Sequence, residues 1–136
     1  MQVQSSQSIS VRTSEDVVAV RQAVRKGSLV LGFSIVDQTK IVTASSELAR
    51  NLLIYGGGGN VIVEAIQNGV KNGLRLIFED QGPGIPDIEL ALRDGYTSGG
   101  GMGLGLGGAK RLSHEFEIDS APGKGTRISI IRWKAI

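Results

Sequence analysis

The sequence predicts an α+β domain, a two-layer sandwich in which helices cover one face of a mixed, mostly antiparallel sheet. Short segments with alternating apolar and polar residues are typical of half-buried strands. Two longer segments instead carry apolar residues at helical spacing. Strands that follow one another along the chain favour antiparallel pairing. The predicted order of elements is β-α-α-β-β-loop-α-β-β.

The first half of the chain is predicted to contain one strand and two helices. Residues 8–12 alternate in polarity and indicate the strand. Ser14 is a favourable N-cap for the first helix, and Gly27 is expected to end it. After a short apolar connector, Asp37 begins a longer helix that reaches about Tyr55, with an apolar stripe along one side and four glycines after it.

The second half is predicted to contain a hairpin, a long loop, a helix and a second hairpin. Asn68-Gly69 and Asn72-Gly73 are turn signals for the first hairpin. Residues 121–124 are expected to form the turn of the second. The four strands are predicted at residues 60–67, 73–80, 114–120 and 125–133. The loop is predicted at residues 81–102 and the helix at residues 104–112.

Length and composition limit the classes of function. The 136 residues suit one compact domain, so we expect residues 1–136 to form it, with residues 1–7 disordered. The absence of cysteine and the single histidine exclude disulfides, thiolate zinc sites and His-rich metal sites. A net charge of +2 and 4% aromatic residues do not indicate nucleic-acid binding. With neither a signal peptide nor a membrane-spanning apolar run, we expect a cytoplasmic protein without a membrane partner.

The long loop and the glycine-rich run after it form the most informative region. Loops of more than roughly 12–15 residues within a compact domain are usually functional. The run passes through Gly103, Leu104 and Gly105 into a predicted helix, and glycine backbone at a helix start can bind phosphate. A flexible linker is the alternative, and the leucines in the run argue against it. No strand precedes the run, and no Gly-Lys-Ser or Gly-Lys-Thr closes it, which excludes a dinucleotide fingerprint and a Walker A loop.

Three polar residues outside this run are candidates for chemistry. Asp80 ends a strand and precedes glycines, so it is either an acceptor for an exocyclic amine or part of an ordinary turn. Glu47 and Asn51 are four residues apart and share one face of the second helix. They are either a surface pair or a functional pair. If the pair is functional, the side-chain oxygen of Asn51 would suffice as the protein ligand of a Mg²⁺ ion that is also bound by phosphates. Glu47 would then accept the proton of an attacking hydroxyl.

Taken in order, these motifs resemble those of the GHKL ATPase family, which includes gyrase, a heat-shock chaperone, histidine kinases and mismatch-repair proteins. The matching segments are Glu47-x-x-x-Asn51, Asp80-x-Gly82-x-Gly84, Gly101-Met102-Gly103-Leu104-Gly105-Leu106 and, in the last strand, Gly125-Thr126. The resemblance spans nearly the whole chain, and it implies the Bergerat ATP-binding fold with ATP and Mg²⁺ as cofactors.

The resemblance also implies a role for each matched residue. Asn51 would bind Mg²⁺, Glu47 would be the catalytic general base, and Asp80 would accept a hydrogen bond from the adenine amino group. Gly82 and Gly84 would let the base come close, and Thr126 would support it. The implied ATP-binding residues are Asn51, Asp80, Gly82, Gly84, Gly101, Gly103, Leu104, Gly105, Leu106 and Thr126.

Three further segments narrow the resemblance, namely Ser46-Glu47-Leu48-Ala49-Arg50-Asn51, Asp94-Gly95-Tyr96-Thr97-Ser98 and Lys110-Arg111-Leu112. With these segments the short chain resembles the anti-sigma-factor-type serine kinases, and most of all the switch serine kinases of the stressosome. This implies an ATP-dependent protein serine/threonine kinase that phosphorylates STAS-domain proteins of the anti-sigma-factor-antagonist and scaffold types in a bacterial stress-signalling partner switch. A PP2C-type serine phosphatase would be its second partner. The alternatives are an anti-sigma factor that sequesters a sigma subunit in a nucleotide-dependent way, and an ATP-binding protein that has lost transfer.

Two further expectations concern a basic residue that would contact the terminal phosphate and the single histidine. Residues 99–101 contain no Lys or Arg, so Arg93 and Lys110 are the nearest candidates for contact with the terminal phosphate. His114 follows a predicted helix and opens a predicted strand, and we expect it to be structural.

Overall fold

The computed structural model describes residues 1–93 and 106–135 and confirms the α+β sandwich. Five strands form one sheet in the order β1-β2-β3-β5-β4. Every pairing between them is antiparallel, so the described part of the sheet is antiparallel throughout rather than mixed. The strands are β1 (Gln2–Val11), β2 (Gly59–Asn68), β3 (Lys71–Asp80), β4 (Glu115–Ser120) and β5 (Thr126–Trp133).

Two long helices and two short ones complete the described structure. They are α1 (Ser14–Leu31), α2 (Ile35–Ile54), α3 (Ile88–Ala91) and α4 (Leu106–Arg111). Helices α1 and α2 contact each other and the sheet, and α4 contacts α2. The core lies between the two layers and includes Val20, Val24, Ile41, Leu48, Leu76, Phe78 and Ile130. Among the described residues, no helix combines the length and the apolar character that crossing a membrane requires.

The first strand is longer than the sequence indicates. It begins at Gln2, so the expectation that residues 1–7 are disordered is wrong. This segment pairs with β2, and the Nε2 of Gln4 donates to Oε1 of Gln67 at 2.7 Å. The strand lies at the edge of the sheet and is almost fully exposed. Because an exposed edge strand needs no apolar residues, the polar residues 2–7 show no alternating pattern, and only residues 8–12 indicated the strand.

The first helix continues past the glycine that was expected to end it. A Cβ at Gly27 would lie 3.3 Å from Cδ2 of Leu74, so this glycine lies where the helix packs closely against the sheet. The helix ends instead at Gly32, whose φ of 82° is the left-handed conformation typical of a helix C-terminus. The predicted connector covered residues 29–33, and residues 29–31 of it are therefore helical.

Both long helices have side-chain caps one to three residues before the predicted starts. Thr13, rather than Ser14, caps α1, and Asp16 completes a capping box with it. Ser34 caps α2 by accepting the N–H of Asp37 at 3.1 Å. Asp37 therefore lies in the first turn of α2 rather than at its start.

The second half agrees with the predicted order and adds one element. Both predicted hairpins are confirmed, with ends shifted by one or two residues. The predicted loop 81–102 contains the short helix α3, which Asp87 caps through the N–H of Leu90. Of the predicted helix 104–112, α4 forms the described part. The Nδ1 of His114 accepts the backbone N–H of Trp133 at 2.8 Å, which agrees with a structural role.

A nearly buried ion pair joins β5 to α2 and to the end of α4. The guanidinium of Arg132 donates to Oδ1 of Asp37 at 2.6 Å and to the carbonyl of Leu112 at 2.9 Å. The exposed fractions of the Arg132 and Asp37 side chains are 9% and 16%. The hydrogen bond from Arg132 lowers the pKa of Asp37 below its ordinary value. Removing one partner would therefore leave an uncompensated charge away from water.

We expect Arg132→Met to lower the free energy of unfolding by about 3–5 kcal/mol, the usual cost of breaking a buried ion pair from one side. Urea unfolding followed by circular dichroism measures the change. The matched control is Arg127→Met, since Arg127 also lies on β5 but pairs with Glu79 at 3.7 Å between half-exposed side chains. That change should stay within about 1 kcal/mol. Equal losses in the two variants would contradict the prediction.

The same ion pair predicts how the difference between wild type and Arg132→Met depends on pH. The folded-state pKa of Asp37 is depressed, so the contribution of the pair is present above the ordinary carboxyl pKa of 3.8. It is lost as the pH falls through the folded-state pKa. We therefore expect the difference in free energy of unfolding between wild type and Arg132→Met to shrink as the pH falls below 3.8.

Candidate functional site

A cleft opens between the C-terminal half of α2, the ends of β3 and β5, and the loop that follows β3. Its walls are largely apolar, and the apolar side chains that line it are Leu48, Leu52, Phe78, Pro83, Ile85, Leu106 and Ile128. The polar side chains in it include Asn51, Asp80 and Thr126. An apolar cleft with a few converging polar groups is the usual form of a small-molecule site.

Asp80 lies in this cleft because of the alternation along β3. Leu74, Leu76 and Phe78 face the helices, and Asp80 is the next residue on the same face. Its Oδ1 accepts the N–H of Gly82 at 2.9 Å. Burial raises its pKa above the ordinary value, although hydrogen bonds from the backbone of Gly82 and Thr126 act in the opposite direction. An ionised carboxylate only accepts hydrogen bonds, so this end of the cleft selects a donor such as an amine.

Two glycines pack behind this carboxylate. A Cβ at Gly56 would lie 2.6 Å from Oδ2 of Asp80, and a Cβ at Gly82 would lie 2.8 Å from the carbonyl oxygen of Gly56. Neither position has room for a side chain. The predicted Gly82 therefore holds Asp80 in place. Gly56 was missed as a site residue, because the glycine run after α2 indicated only the end of a helix.

Gly84 lines the cleft, and its loop also makes a contact outside the cleft that requires a glycine. Its φ is 78°, and a Cβ there would overlap the carbonyl of Ala121 in the β4–β5 turn. The glycine is therefore required by the contact of its loop with that turn, whether or not a ligand is bound. This contact fixes the loop that follows Asp80.

Thr126 lies directly opposite Asp80 in the β3–β5 register, and both line the cleft. The hydroxyl oxygen of Thr126 is 2.8 Å from that of Ser120 at the end of β4. Ser120 was missed by sequence analysis, since a serine at a strand end carries no functional signal of its own.

Asn51 and Glu47 both lie on α2 but differ in position relative to the cleft. Asn51 lines it, in the last turn of the helix, and its carbonyl accepts the N–H groups of Tyr55 and Gly56 at 2.9 and 3.1 Å. Glu47 lies one turn earlier and is not among the residues that line the cleft. Its carboxylate is 4.0 Å from the guanidinium of Arg50, and its side chain is 35% exposed. A group arriving from outside can therefore reach Glu47.

The metal ligands that the cleft can offer suit a magnesium ion that is bound mainly by phosphates. Among residues 1–93 and 106–135, no three or more His, Cys, Asp or Glu side chains lie together as a metal site. Mg²⁺ needs only one or two protein oxygens when phosphates and water complete its six positions. The amide oxygen of Asn51 fits that requirement, whereas a dedicated protein cage is absent from the described part.

Part of the predicted phosphate site lies outside the described residues, namely Gly101, Gly103, Leu104 and Gly105. Leu106, the last residue of that motif, is buried and lines the cleft. Arg93 and Lys110 are described, and neither is among the residues that line the cleft.

Comparisons with known proteins find a family model and several relatives that match this chain. Residues 36–135 match the family described as histidine kinase-, DNA gyrase B-, and HSP90-like ATPase. The serine/threonine-protein kinase RsbT of Bacillus subtilis is 48% identical over 92% of this chain and 94% of its own length. An anti-sigma F factor of a Thermoanaerobacter species is 29% identical over 88% of this chain and 87% of its own length.

A solved structure shares the fold. It contains the RsbU and RsbW domains of a Mycobacterium tuberculosis protein and superposes with a TM-score of 0.62 at 21% identity. The match covers 96% of this chain and 33% of the solved chain. At this level of identity the similarity supports the fold alone.

Proposed function

Since this chain belongs to the histidine kinase-, DNA gyrase B- and HSP90-like ATPase family and is a protein serine/threonine kinase within it, we propose that it phosphorylates STAS-domain partners with ATP. The observation that supports this most is the single cleft that holds Asp80 and Asn51 between apolar walls. Asp80 accepts a hydrogen bond from the adenine amino group. Leu52, Phe78 and Ile128 enclose the base and exclude water from that hydrogen bond.

The triphosphate is proposed to extend from the base past α2. Asn51 supplies an amide oxygen to Mg²⁺, which when bound neutralises charge on the phosphates. The glycine motif at residues 101–105 supplies backbone N–H groups, and Leu106 closes the apolar end of the cleft. Most of the catalytic effect in phosphoryl transfer comes from such positioning and charge stabilisation.

Glu47 is proposed to act on the incoming hydroxyl. Its carboxylate takes the proton of a partner Ser or Thr as the hydroxyl oxygen bonds to the γ-phosphorus, and the bond to the β-phosphate oxygen breaks to release ADP. The partial exposure of Glu47 suits this role, because the substrate hydroxyl belongs to another protein.

The partners are proposed to be STAS-domain proteins of the anti-sigma-factor-antagonist and scaffold types, together with a PP2C-type serine phosphatase, in the cytoplasm. The anti-sigma F factor relatives support a second candidate, in which the chain sequesters a sigma subunit. The kinase relative is more similar and matches more of the chain, which favours phosphorylation as the main activity.

One experiment separates the two candidates. The chain is incubated with labelled ATP and candidate STAS-domain proteins, and in parallel with candidate sigma subunits in a pull-down. Transfer of label to a STAS serine or threonine without sigma binding supports the kinase. Sigma binding without transfer supports the alternative.

We expect Asp80→Asn to weaken ATP binding about 10- to 100-fold, since a hydrogen bond to a charged group is lost. The preference for adenine over guanine nucleotides should weaken as well, and titration calorimetry measures both. Asp119→Asn is the control, because Asp119 is exposed and does not line the cleft. Unchanged base selectivity would remove Asp80 from the proposed site.

The same variant should not lower the melting temperature of the nucleotide-free protein at pH 7. Burial raises the folded-state pKa of Asp80, so its contribution to stability is fully present below the ordinary pKa of 3.8 and is lost as the pH rises through the folded-state value. At pH 7 the ionised carboxylate therefore costs stability, and the neutral amide removes that cost. A large drop in the melting temperature would indicate a structural role instead.

A further inference from the structure

The hydroxyl of Ser120 connects three segments at the base of the cleft. Its Oγ accepts the N–H of Ile85, in the loop after β3, at 2.8 Å. It donates to the carbonyl of Gly125, in the β4–β5 turn, at 2.9 Å. It also lies 2.8 Å from the hydroxyl oxygen of Thr126, the first residue of β5. Ser120 itself does not line the cleft, whereas its neighbours Ile85 and Thr126 do.

Either hydroxyl can donate across the contact between Ser120 and Thr126, and the other neighbours of Ser120 favour Thr126 as the donor. A serine hydroxyl has one hydrogen to donate and can accept two hydrogen bonds. The hydrogen of Ser120 is used on Gly125, and one acceptor position is used by Ile85. When the hydrogen of Ser120 points to Gly125, the remaining position can only accept, and Thr126 is then the donor across the 2.8 Å contact. In that arrangement the Thr126 hydroxyl offers a ligand in the cleft only lone pairs, and not a hydrogen.

We propose that Ser120 is a positioning residue that fixes the Thr126 hydroxyl as an acceptor and so helps the site to select a 6-amino purine. The inference rests on the proposed ATP site. In this inference Ser120 affects the choice of base only through the hydroxyl of Thr126.

The chemistry of the purine explains why a second acceptor favours adenine. Asp80 and Thr126 are cross-strand neighbours on the same face, so their side chains start roughly 5 Å apart. The two N–H bonds of an exocyclic amine diverge, and two acceptors at hydrogen-bond distance from its nitrogen lie roughly 5 Å apart. A 6-oxo purine instead presents an oxygen to two acceptors, which is unfavourable.

The test compares ATP with inosine triphosphate, which carries oxygen in place of the 6-amino group. Without the serine hydroxyl, the Thr126 hydroxyl can rotate and donate a hydrogen bond to the 6-oxo group of inosine triphosphate. We expect Ser120→Ala to reduce the ratio of the two affinities about tenfold, the effect of one hydrogen bond, as measured by titration calorimetry. Ser120→Thr keeps the hydroxyl and should restore the wild-type ratio.

Two further variants separate positioning from a general loss of structure. Thr126→Val removes the same acceptor while leaving the Ser120–Ile85 contact, and it should lower the ratio as Ser120→Ala does. Adding Ser120→Ala to Thr126→Val should change the ratio no further, because both act through one hydroxyl. Ser28→Ala is the control, since the buried hydroxyl of Ser28 donates to the carbonyl of Arg25 within α1 and does not line the cleft.

The outcomes distinguish this inference from the proposed function. A wild-type chain that fails to bind ATP would overturn the ATP site and this inference with it. A wild-type chain that prefers ATP, with Ser120→Ala losing affinity for both nucleotides equally, would overturn the inference alone. An additive effect of the two substitutions on the ratio would also overturn it.

Discussion

Asn51→Ala is expected to abolish phosphotransfer to a partner protein, the largest effect of any single substitution proposed for this chain. Asn51 is the polar side chain of α2 that lines the cleft, and its amide oxygen is the proposed protein ligand for Mg²⁺. Without that oxygen the phosphates lose the orientation that transfer needs, and positioning supplies most of the rate in this chemistry. Transfer of labelled phosphate measures the loss.

Nucleotide binding with and without Mg²⁺ shows whether the loss occurs at the metal. The variant should bind Mg²⁺-free ATP much as wild type does, since Asp80 and the apolar walls are intact, but it should gain little from added Mg²⁺. Asn60→Ala is the control, because Asn60 is exposed on β2 and does not line the cleft. Phosphorylation at the wild-type rate by Asn51→Ala would remove this residue from the site.

The order of elements could be predicted because most elements bury one face. The alternation in β2, β3 and β5 and the helical spacing in α1 and α2 follow directly from packing against one core. The first residues of β1 carry no such pattern, because their strand is exposed at the sheet edge. Gly27 was misread as a helix end, since the sequence alone does not show that α1 lies against Leu74 at that point.

The candidate site could be predicted only in part, for a related reason. Asn51, Asp80 and Thr126 belong to short motifs that follow one another along the sequence in the order seen in the resembling family, and the structure places all three in one cleft. Gly56 and Ser120 matter through contacts with residues distant in the chain or on another strand. No local pattern encodes such contacts, so these supporting residues emerge only once the strands and the loop are assembled.

Glu47→Gln is expected to slow phosphotransfer about 10²- to 10⁴-fold, the usual contribution of a general base. The amide keeps the size of the side chain but cannot accept the proton of the attacking hydroxyl. Glu47 does not line the cleft, so the affinity for ATP should be close to that of wild type. Single-turnover transfer from bound ATP to a saturating STAS-domain partner measures the chemical step apart from binding.

Two comparisons test whether the effect of Glu47→Gln arises from proton transfer rather than from the neighbouring ion pair. Arg50→Ala breaks the same 4.0 Å pair from its other side, and an exposed pair of this kind contributes at most about 1 kcal/mol. It should therefore leave the single-turnover rate within a fewfold of wild type. Glu117→Gln, on an exposed position of β4, should leave it unchanged. If Arg50→Ala slowed transfer as much as Glu47→Gln did, the pair would matter for its structure, and the general base would have to be another group.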